Sequence, residues 1–185
     1  DFKVVLSKLK NNINDDDFIS LNIDKTNTVW LGTNSGLYSY KEKIWRVFTT
    51  QNSKIPNNHI WSVVVDSQNK KWIGTKKGIV AITDEGWEFF NKKNTPLKTN
   101  LIKSIVRDDY DRIWVSTENK IISYDEEGWK KQKTKICKKE VIANLFIDGF
   151  DNKWICTSNN IIVYNLEGVE FKNNSTNENS IIVSK

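Results

Sequence analysis

Residues 71–79 read KWIGTKKGI, and near-copies stand at 29–37 (VWLGTNSGL), 113–121 (IWVSTENKI) and 153–161 (KWICTSNNI). The tryptophans set the period: Trp30 to Trp72 and Trp72 to Trp114 are each 42 positions, and Trp114 to Trp154 is 40. An aspartate stands six places before each of them (Asp24, Asp66, Asp108, Asp148), and a threonine three places after (Thr33, Thr75, Thr117, Thr157). A phase that never slips over four copies marks a repeat protein. Units of about 40 to 45 residues are the length of four-stranded propeller blades, although other repeats share it, so the pattern inside one period must arbitrate.

Within the second unit, HIWSVVV (59–65) is β-branched and apolar, and the turn-rich DSQNK separates it from KWIGT. GIVAIT (78–83), the turn DEG and WEFFN (87–91) complete four short strands, and no stretch supports an amphipathic helix. The first strand of every unit (FISLNI, HIWSVVV, LIKSIV, VIANLFI) is apolar on both faces, which predicts a sheet covered on both sides. Blades stacked around an axis supply that cover. The predicted fold is therefore all-β: four propeller blades of four antiparallel strands each, at 17–49, 59–91, 101–133 and 141–172.

The repeated residues have structural roles in such a blade. The aspartate accepts backbone N–H groups and fixes the first hairpin turn. The tryptophan packs against the neighbouring blade. Gly36 and Gly78 permit positive φ in the next turn, where the third and fourth units carry Lys120 and Asn160; asparagine tolerates that conformation and lysine does so at a cost, so the turn of the third unit is expected to relax. A second row, Trp45, Trp87 and Trp129 with Val169 as the exception, lies fifteen places after the first and starts the outermost strand. Trp61 is the one tryptophan outside both rows.

Composition narrows the function classes. The 185 residues suffice for one domain with a substantial core. No apolar run approaches the length needed to cross a membrane as a helix. The net charge of +5 includes a lysine cluster at 130–139, KKQKTKICKK. It sits on an outer strand and loop, directly after acidic DEEG and without interleaved aromatics, so it reads as a solvated edge that discourages strand-to-strand aggregation, and nucleic acid is disfavoured. The single histidine, His59, supplies no metal-ligand set, and no cofactor is implied. Cys137 and Cys156 are read as free thiols, and spacing cannot decide whether they pair.

No nucleophile stands with a base, and carboxylates that recur in every unit serve turns, since an active site is needed once. Propeller enzymes assemble their groups from distant loops, so a lyase or hydrolase stays open as an alternative. The innermost strand and the loop before it are where a propeller presents a ligand near its axis. The candidate binding residues are therefore Asn58, His59 and Trp61 of the second unit, Asn100 and Lys103 of the third, and Asn144 of the fourth.

The string D…KWIGTKKGI…W, with IPNNHIWSVVVD leading into it, resembles the two-component regulator propeller repeat. The resemblance spans essentially the whole chain and is strongest in the first two units; in the third and fourth, Ser116 and Cys156 replace the glycine before the threonine. It implies an extracytoplasmic or periplasmic sensor region of a bacterial hybrid two-component system, with a small-molecule or oligosaccharide ligand and a kinase elsewhere. A protein-binding scaffold without a signalling role is the alternative. By the same phase, 3–8 (KVVLSK) corresponds to the outer strand of a preceding blade and 180–185 to the start of a following one, as in a piece of a longer array. Open terminal blades would leave apolar faces, so self-association through the terminal units is expected.

Overall fold

The computed structural model describes residues 18–133, 136, 140–165 and 168–173, the last group and Asn165 as backbone alone. Sixteen strands and no helix are present among them. They form four separate antiparallel sheets in simple up-and-down order. The first blade is β1 (Phe18–Ile23), β2 (Val29–Thr33), β3 (Leu37–Lys41) and β4 (Ile44–Phe48). The second is β5 (Ile60–Val65), β6 (Lys71–Thr75), β7 (Gly78–Thr83) and β8 (Gly86–Phe90). The third is β9 (Ser104–Arg107), β10 (Ile113–Ser116), β11 (Ile121–Asp125) and β12 (Gly128–Lys131). The fourth is β13 (Ile142–Ile147), β14 (Lys153–Thr157), β15 (Asn160–Asn165) and β16 (Gly168–Asn173). Residues 3–8, residues 180–185 and Cys137 lie outside the described residues, as does the side chain of Val169. Cys156 is a free, half-buried thiol.

Each repeated aspartate holds its hairpin through two backbone N–H groups and an indole N–H, and among the described residues all but Asp66 accept a fourth donor. Asp66 Oδ1 accepts the backbone N–H groups of Gln68 and Lys70 at 2.9 and 2.8 Å, and its Oδ2 accepts Trp72 Nε1–H at 2.9 Å. The indole bond recurs from Trp30 to Asp24 (2.9 Å), Trp114 to Asp108 (2.8 Å) and Trp154 to Asp148 (2.7 Å). The sequence pattern indicates the turn but not this bond, which crosses from the start of the hairpin to the strand that follows it. Three places after each aspartate stands Asn27, Asn69, Asp111 or Asp151, with φ of 59, 65, 63 and 62°. Asn and Asp tolerate this left-handed geometry better than other non-glycine residues.

Threonine closes the next turn. Thr75 Oγ1 donates to the Gly78 carbonyl at 2.8 Å, and Gly78 has φ +128° with its Cα facing the Phe90 carbonyl too closely for a side chain. Lys120 and Asn160, at the same place, do not take positive φ, yet Thr117 and Thr157 still bond their carbonyls at 3.2 and 3.0 Å. The turn is therefore kept by a different backbone path, and asparagine does not use the left-handed conformation foreseen for it. Gly74 has another reason to be glycine: a Cβ there would meet Ile102 of the third blade at 2.9 Å.

The core lies between blades. Trp72, only 1% exposed, stacks on Phe90 of its own blade (5.7 Å) and meets Tyr124 and Trp129 of the next at 5.1 and 6.1 Å. Trp30 with Leu37 packs against Ile60, Val63 and Ile73, and Trp114 with Ile121 against Ile142, Leu145 and Ile155. A row of inner-strand serines adds direct stitching. Ser62 Oγ accepts Ile105 N–H and donates to its carbonyl, both at 3.1 Å; Ser20 Oγ accepts Val63 N–H at 2.9 Å; Ser104 Oγ donates to the Leu145 carbonyl at 3.4 Å.

Two expectations about the first strands need correction. Cover on both faces holds for β5, but β1 and β13 are largely open. Leu21 is 53% exposed where its counterparts Val63, Ile105 and Leu145 are 1–3%, and Phe146 is 52% exposed where Val64 is 9%. The terminal sheets each lack a neighbour on one side among the described residues. The third inner strand also begins at Ser104 rather than 101, because Ile102 N–H is taken by the Thr75 carbonyl of the preceding blade at 3.1 Å.

Replacing Trp72 with alanine should cost about 3 to 5 kcal/mol by opening a cavity between blades. Trp154→Ala should cost less, since Trp154 is only half-buried. Asp66→Ala should lose about 1 to 2 kcal/mol through its hydrogen bonds, and Asp108→Ala more, because Asp108 is 2% exposed and also faces Arg112 at 2.7 Å and Lys153 at 3.5 Å. Urea unfolding of the four variants tests the ranking.

Candidate functional site

Antiparallel pairing brings the start of each inner strand to the end of the second strand: Ile60 faces Thr75 and Ser104 faces Ser116. The loops entering the inner strands and the turns between second and third strands therefore share one end of the array. The aspartate turns occupy the other.

At the loop end, β5 carries a register shift between Ile60 and Ser62, and Trp61 is the extra residue of that bulge. Bulges re-aim side chains. The Trp61 ring lies 4.4 Å from the His59 ring, centre to centre, at 58°. Lys103, the counterpart of Trp61 at the head of β9, places its ammonium 5.5 Å from the Trp61 ring centre, and Lys76 from the β6–β7 turn does so at 6.0 Å. Trp61 Nε1 and His59 Nε2 are both shielded from solvent and have no hydrogen-bond partner among the described residues. Burial, reinforced by the Lys76 charge, pushes the His59 imidazole below its ordinary value of 6.5. The surface thus joins an aromatic face, two unfilled ring nitrogens and two ammonium groups.

Of the six residues proposed from sequence, the structure gathers His59, Trp61 and Lys103. Asn58 Oδ1 accepts Thr50 N–H at 2.8 Å, and Asn100 Oδ1 accepts Lys92 N–H at 2.9 Å, so both brace the same bend in successive connecting loops. Asn144 is exposed, holds Leu145 N–H at 2.8 Å, and takes the serine place of the fourth inner strand. Lys76 was missed. Its signal was its position just after Thr75, which strand pairing puts beside the start of β5. Among the described residues no group of three or more His, Cys, Asp or Glu side chains is placed to hold a metal ion.

A four-bladed array with consecutive antiparallel sheets defines a β-propeller class of protein, and comparisons with known proteins agree. The profile of the family described as Two component regulator propeller matches residues 96–119. That segment runs from the loop before β9 through β10, so the match falls in the third unit, where Ser116 replaces the glycine. No curated protein matches the chain. Among solved structures, the extracellular domain described as that of a hybrid two component system from B. thetaiotaomicron superposes with TM-score 0.75 at 21% identity, over 90% of this chain and 23% of that one. A second such domain from B. thetaiotaomicron gives 0.75 at 22% identity, over 88% and 24%. Virginiamycin B lyase from Staphylococcus aureus gives 0.70 at 13% identity, over 89% and 58%. The chain spans about a quarter of the length of the two-component domains. No helix of the described residues is long and apolar enough to cross a membrane.

The depressed His59 value has a signed consequence. The folded state keeps the imidazole neutral, whereas the unfolded chain takes up a proton near pH 6.5. Unfolding is then linked to proton uptake, so stability should be full above 6.5 and fall as pH drops from there toward the lower folded value. His59→Gln should flatten that slope. Thermal melts of both proteins between about pH 8 and 5, above the carboxylate range, provide the check.

Proposed function

We propose that this propeller array is the ligand-sensing part of an extracytoplasmic two-component-type receptor, and that its ligand is an acidic oligosaccharide held at the His59–Trp61 surface. The observation that carries this reading is the bulged Trp61 with its unpartnered Nε1–H, flanked by His59, Lys76 and Lys103. Aromatic faces pack against the apolar faces of sugar rings, buried ring nitrogens without partners welcome hydroxyls, and two ammonium groups favour a carboxylate or sulfate. The family profile and the likeness to extracellular domains of hybrid two component systems support the receptor setting. Binding would then bias the arrangement of the receptor's other parts, by as much as its affinity differs between their states.

Titration with trigalacturonate, followed by tryptophan fluorescence, should give saturable binding that maltotriose does not. Trp61→Ala should weaken it by about tenfold or more, roughly 1.4 kcal/mol, with the melting temperature little changed. Equal binding by wild type and variant would remove the site from this surface, and turnover of the sugar into an unsaturated product would favour the lyase alternative.

The terminal sheets support a second element of the reading, which is that two copies pair head to tail. Inside the chain, the Trp-bearing face of each blade packs on the inner and second strands of the next. The first blade exposes Leu21 on the receiving side and the fourth exposes Phe146 on the donating side, so the two open faces are opposite halves of one interface type. Two such contacts would close a ring of eight blades, within the usual range of about four to eight. Sedimentation at micromolar concentration should show a dimer that Leu21→Glu dissociates; a wild-type monomer would refute the pairing.

A further inference from the structure

The three blade-to-blade contacts differ at the hairpin end. Between the first and second blades, Lys71 reaches back to the preceding Asp–Trp pair: its Nζ lies 3.3 Å from Asp24 Oδ2 and 5.7 Å from the Trp30 ring centre. Between the third and fourth, Lys153 does the same, 3.5 Å from Asp108 Oδ2 and 5.0 Å from the Trp114 ring centre, with Asp151 of its own hairpin at 2.6 Å. Both lysines are buried. The corresponding residue between the second and third blades is Ile113, buried in the apolar core.

Everything else that surrounds the Lys153 ammonium is retained there. Asp66 and Trp72 correspond to Asp108 and Trp114, and Asp111 corresponds to Asp151. The cation from the same hairpin is also retained. Arg112 lies 5.7 Å from the Trp114 ring centre, and its counterpart Lys70 lies 4.5 Å from that of Trp72 while pairing with Glu88 at 2.9 Å. The third blade's pair therefore holds two cations, one from its own hairpin and one from the next blade, and the second blade's pair holds only the first. Among the described residues Asp66 has no ion-pair partner, and its Oδ2 accepts only Trp72 Nε1–H. It is half-buried where Asp24 and Asp108 are 5% and 2% exposed.

A cleft of about 630 Å³ opens at this place, walled by Trp72, Ile113, Tyr110 and Tyr124, edged by Asp66 and Asp111, and lined as well by Lys70 and Arg112. Its volume falls within the usual range of small-molecule sites. Asp111 accepts Ser67 N–H and pairs with Arg107 through Oδ1 and accepts the Ser67 hydroxyl through Oδ2, and Lys130 pairs with Asp125 and Glu127 at the rim; among the described lining carboxylates this leaves the exposed Glu126 and the half-buried Asp66 without a cation.

We propose that this cleft binds a small organic ligand through a primary ammonium group, which takes the position that Lys71 and Lys153 fill in the neighbouring contacts. The carbon stem would lie between Ile113 and the tyrosine faces, as the lysine stem lies along the core elsewhere. A bare metal ion is less suited, because a cation there would find an aromatic face and few free oxygens. The site stands at the opposite end of the blades from the His59–Trp61 surface and does not depend on it.

The test uses pentylammonium as probe and pentanol as its uncharged counterpart, read from the Trp72 indole N–H resonance in a proton–nitrogen correlation spectrum. Pentylammonium should shift that resonance saturably and pentanol should not. Ile113→Lys, which restores the internal ammonium, should abolish the saturable shift. Asp66→Asn keeps an acceptor for Trp72 but loses the charge, and should weaken binding about tenfold or more, the usual scale for one charged hydrogen bond; this variant carries the test if Ile113→Lys fails to fold. Equal shifts from the two probes, or unchanged binding in Asp66→Asn, would overturn the proposal.

Discussion

Burying an indole between two sheets leaves one N–H that must find an acceptor, and an unmet donor in such a place costs about 1 to 3 kcal/mol. In every blade the acceptor is the aspartate six residues earlier. The same carboxylate receives two backbone N–H groups of its hairpin, so a single side chain fixes both the turn and the orientation of the ring that meets the next blade. Burial alone would raise the pKa of Asp24 and Asp108, yet the bonds from tryptophan and hairpin outweigh it, holding Asp24 well below the ordinary carboxylate range and Asp108 below its ordinary value. In these two blades the lowered pKa favours the ionised acceptor, which strengthens the bond to the indole. The outer-row indoles show the contrast: Trp45 and Trp129 have shielded Nε1 atoms and no acceptor among the described residues.

Once the hairpins are rigid, short polar links can join them. At the hairpin end, Asn69 accepts Lys25 N–H at 2.9 Å and Asp111 accepts Ser67 N–H at 2.8 Å, each reaching back to the blade before. These are the residues held at positive φ, so the strained backbone of one turn presents the side chain that binds its neighbour. Along the inner strands the serine row does similar work, with Ser62 treating Ile105 as a strand partner would. Blade spacing is thus set by direct hydrogen bonds near the axis and by aromatic packing further out.

Most of the architecture was legible in the sequence because structure is carried by residues that recur. The bounds of β1, β6 and β7 coincide with the apolar runs, and Asp, Trp, Thr and Gly mark the turns. The unread parts are interactions between elements. The serine and Asn/Asp rows recur with the same period, but their partners lie in another blade, and no single unit reveals them. Lys71 and Lys153 look like solvated charges in the sequence and are buried, because their partners are the carboxylates of the preceding blade. The candidate site was partly legible from position, since the innermost strand and the loop before it mark His59, Trp61 and Lys103, whereas Lys76 joins them only through strand pairing that a linear reading does not display.

The breaks in the pattern are informative because the clamp tolerates them. Asp66 and Trp72 form the same hydrogen bond as the other pairs although the residue across from them is isoleucine instead of lysine. The inner strand accommodates a bulged tryptophan at 61, where the first unit has Ile19 and the fourth Ala143, without losing the serine that follows. A blade can therefore change the residue it shows at its loop end, or the cation it lends at its hairpin end, while its turn and its packed indole remain. Such changes cost little in stability when they replace one satisfied contact by another. They cost more when they leave a polar group waiting, as they do among the described residues at Trp61 Nε1 and His59 Nε2, at Trp45 and Trp129 Nε1, and at Ser116 Oγ. The first two, like the carboxylate of Asp66 with no cation paired to it among the described residues, lie at blade ends, the part of a propeller open to other molecules, and a group left unmet there is one that a ligand can meet.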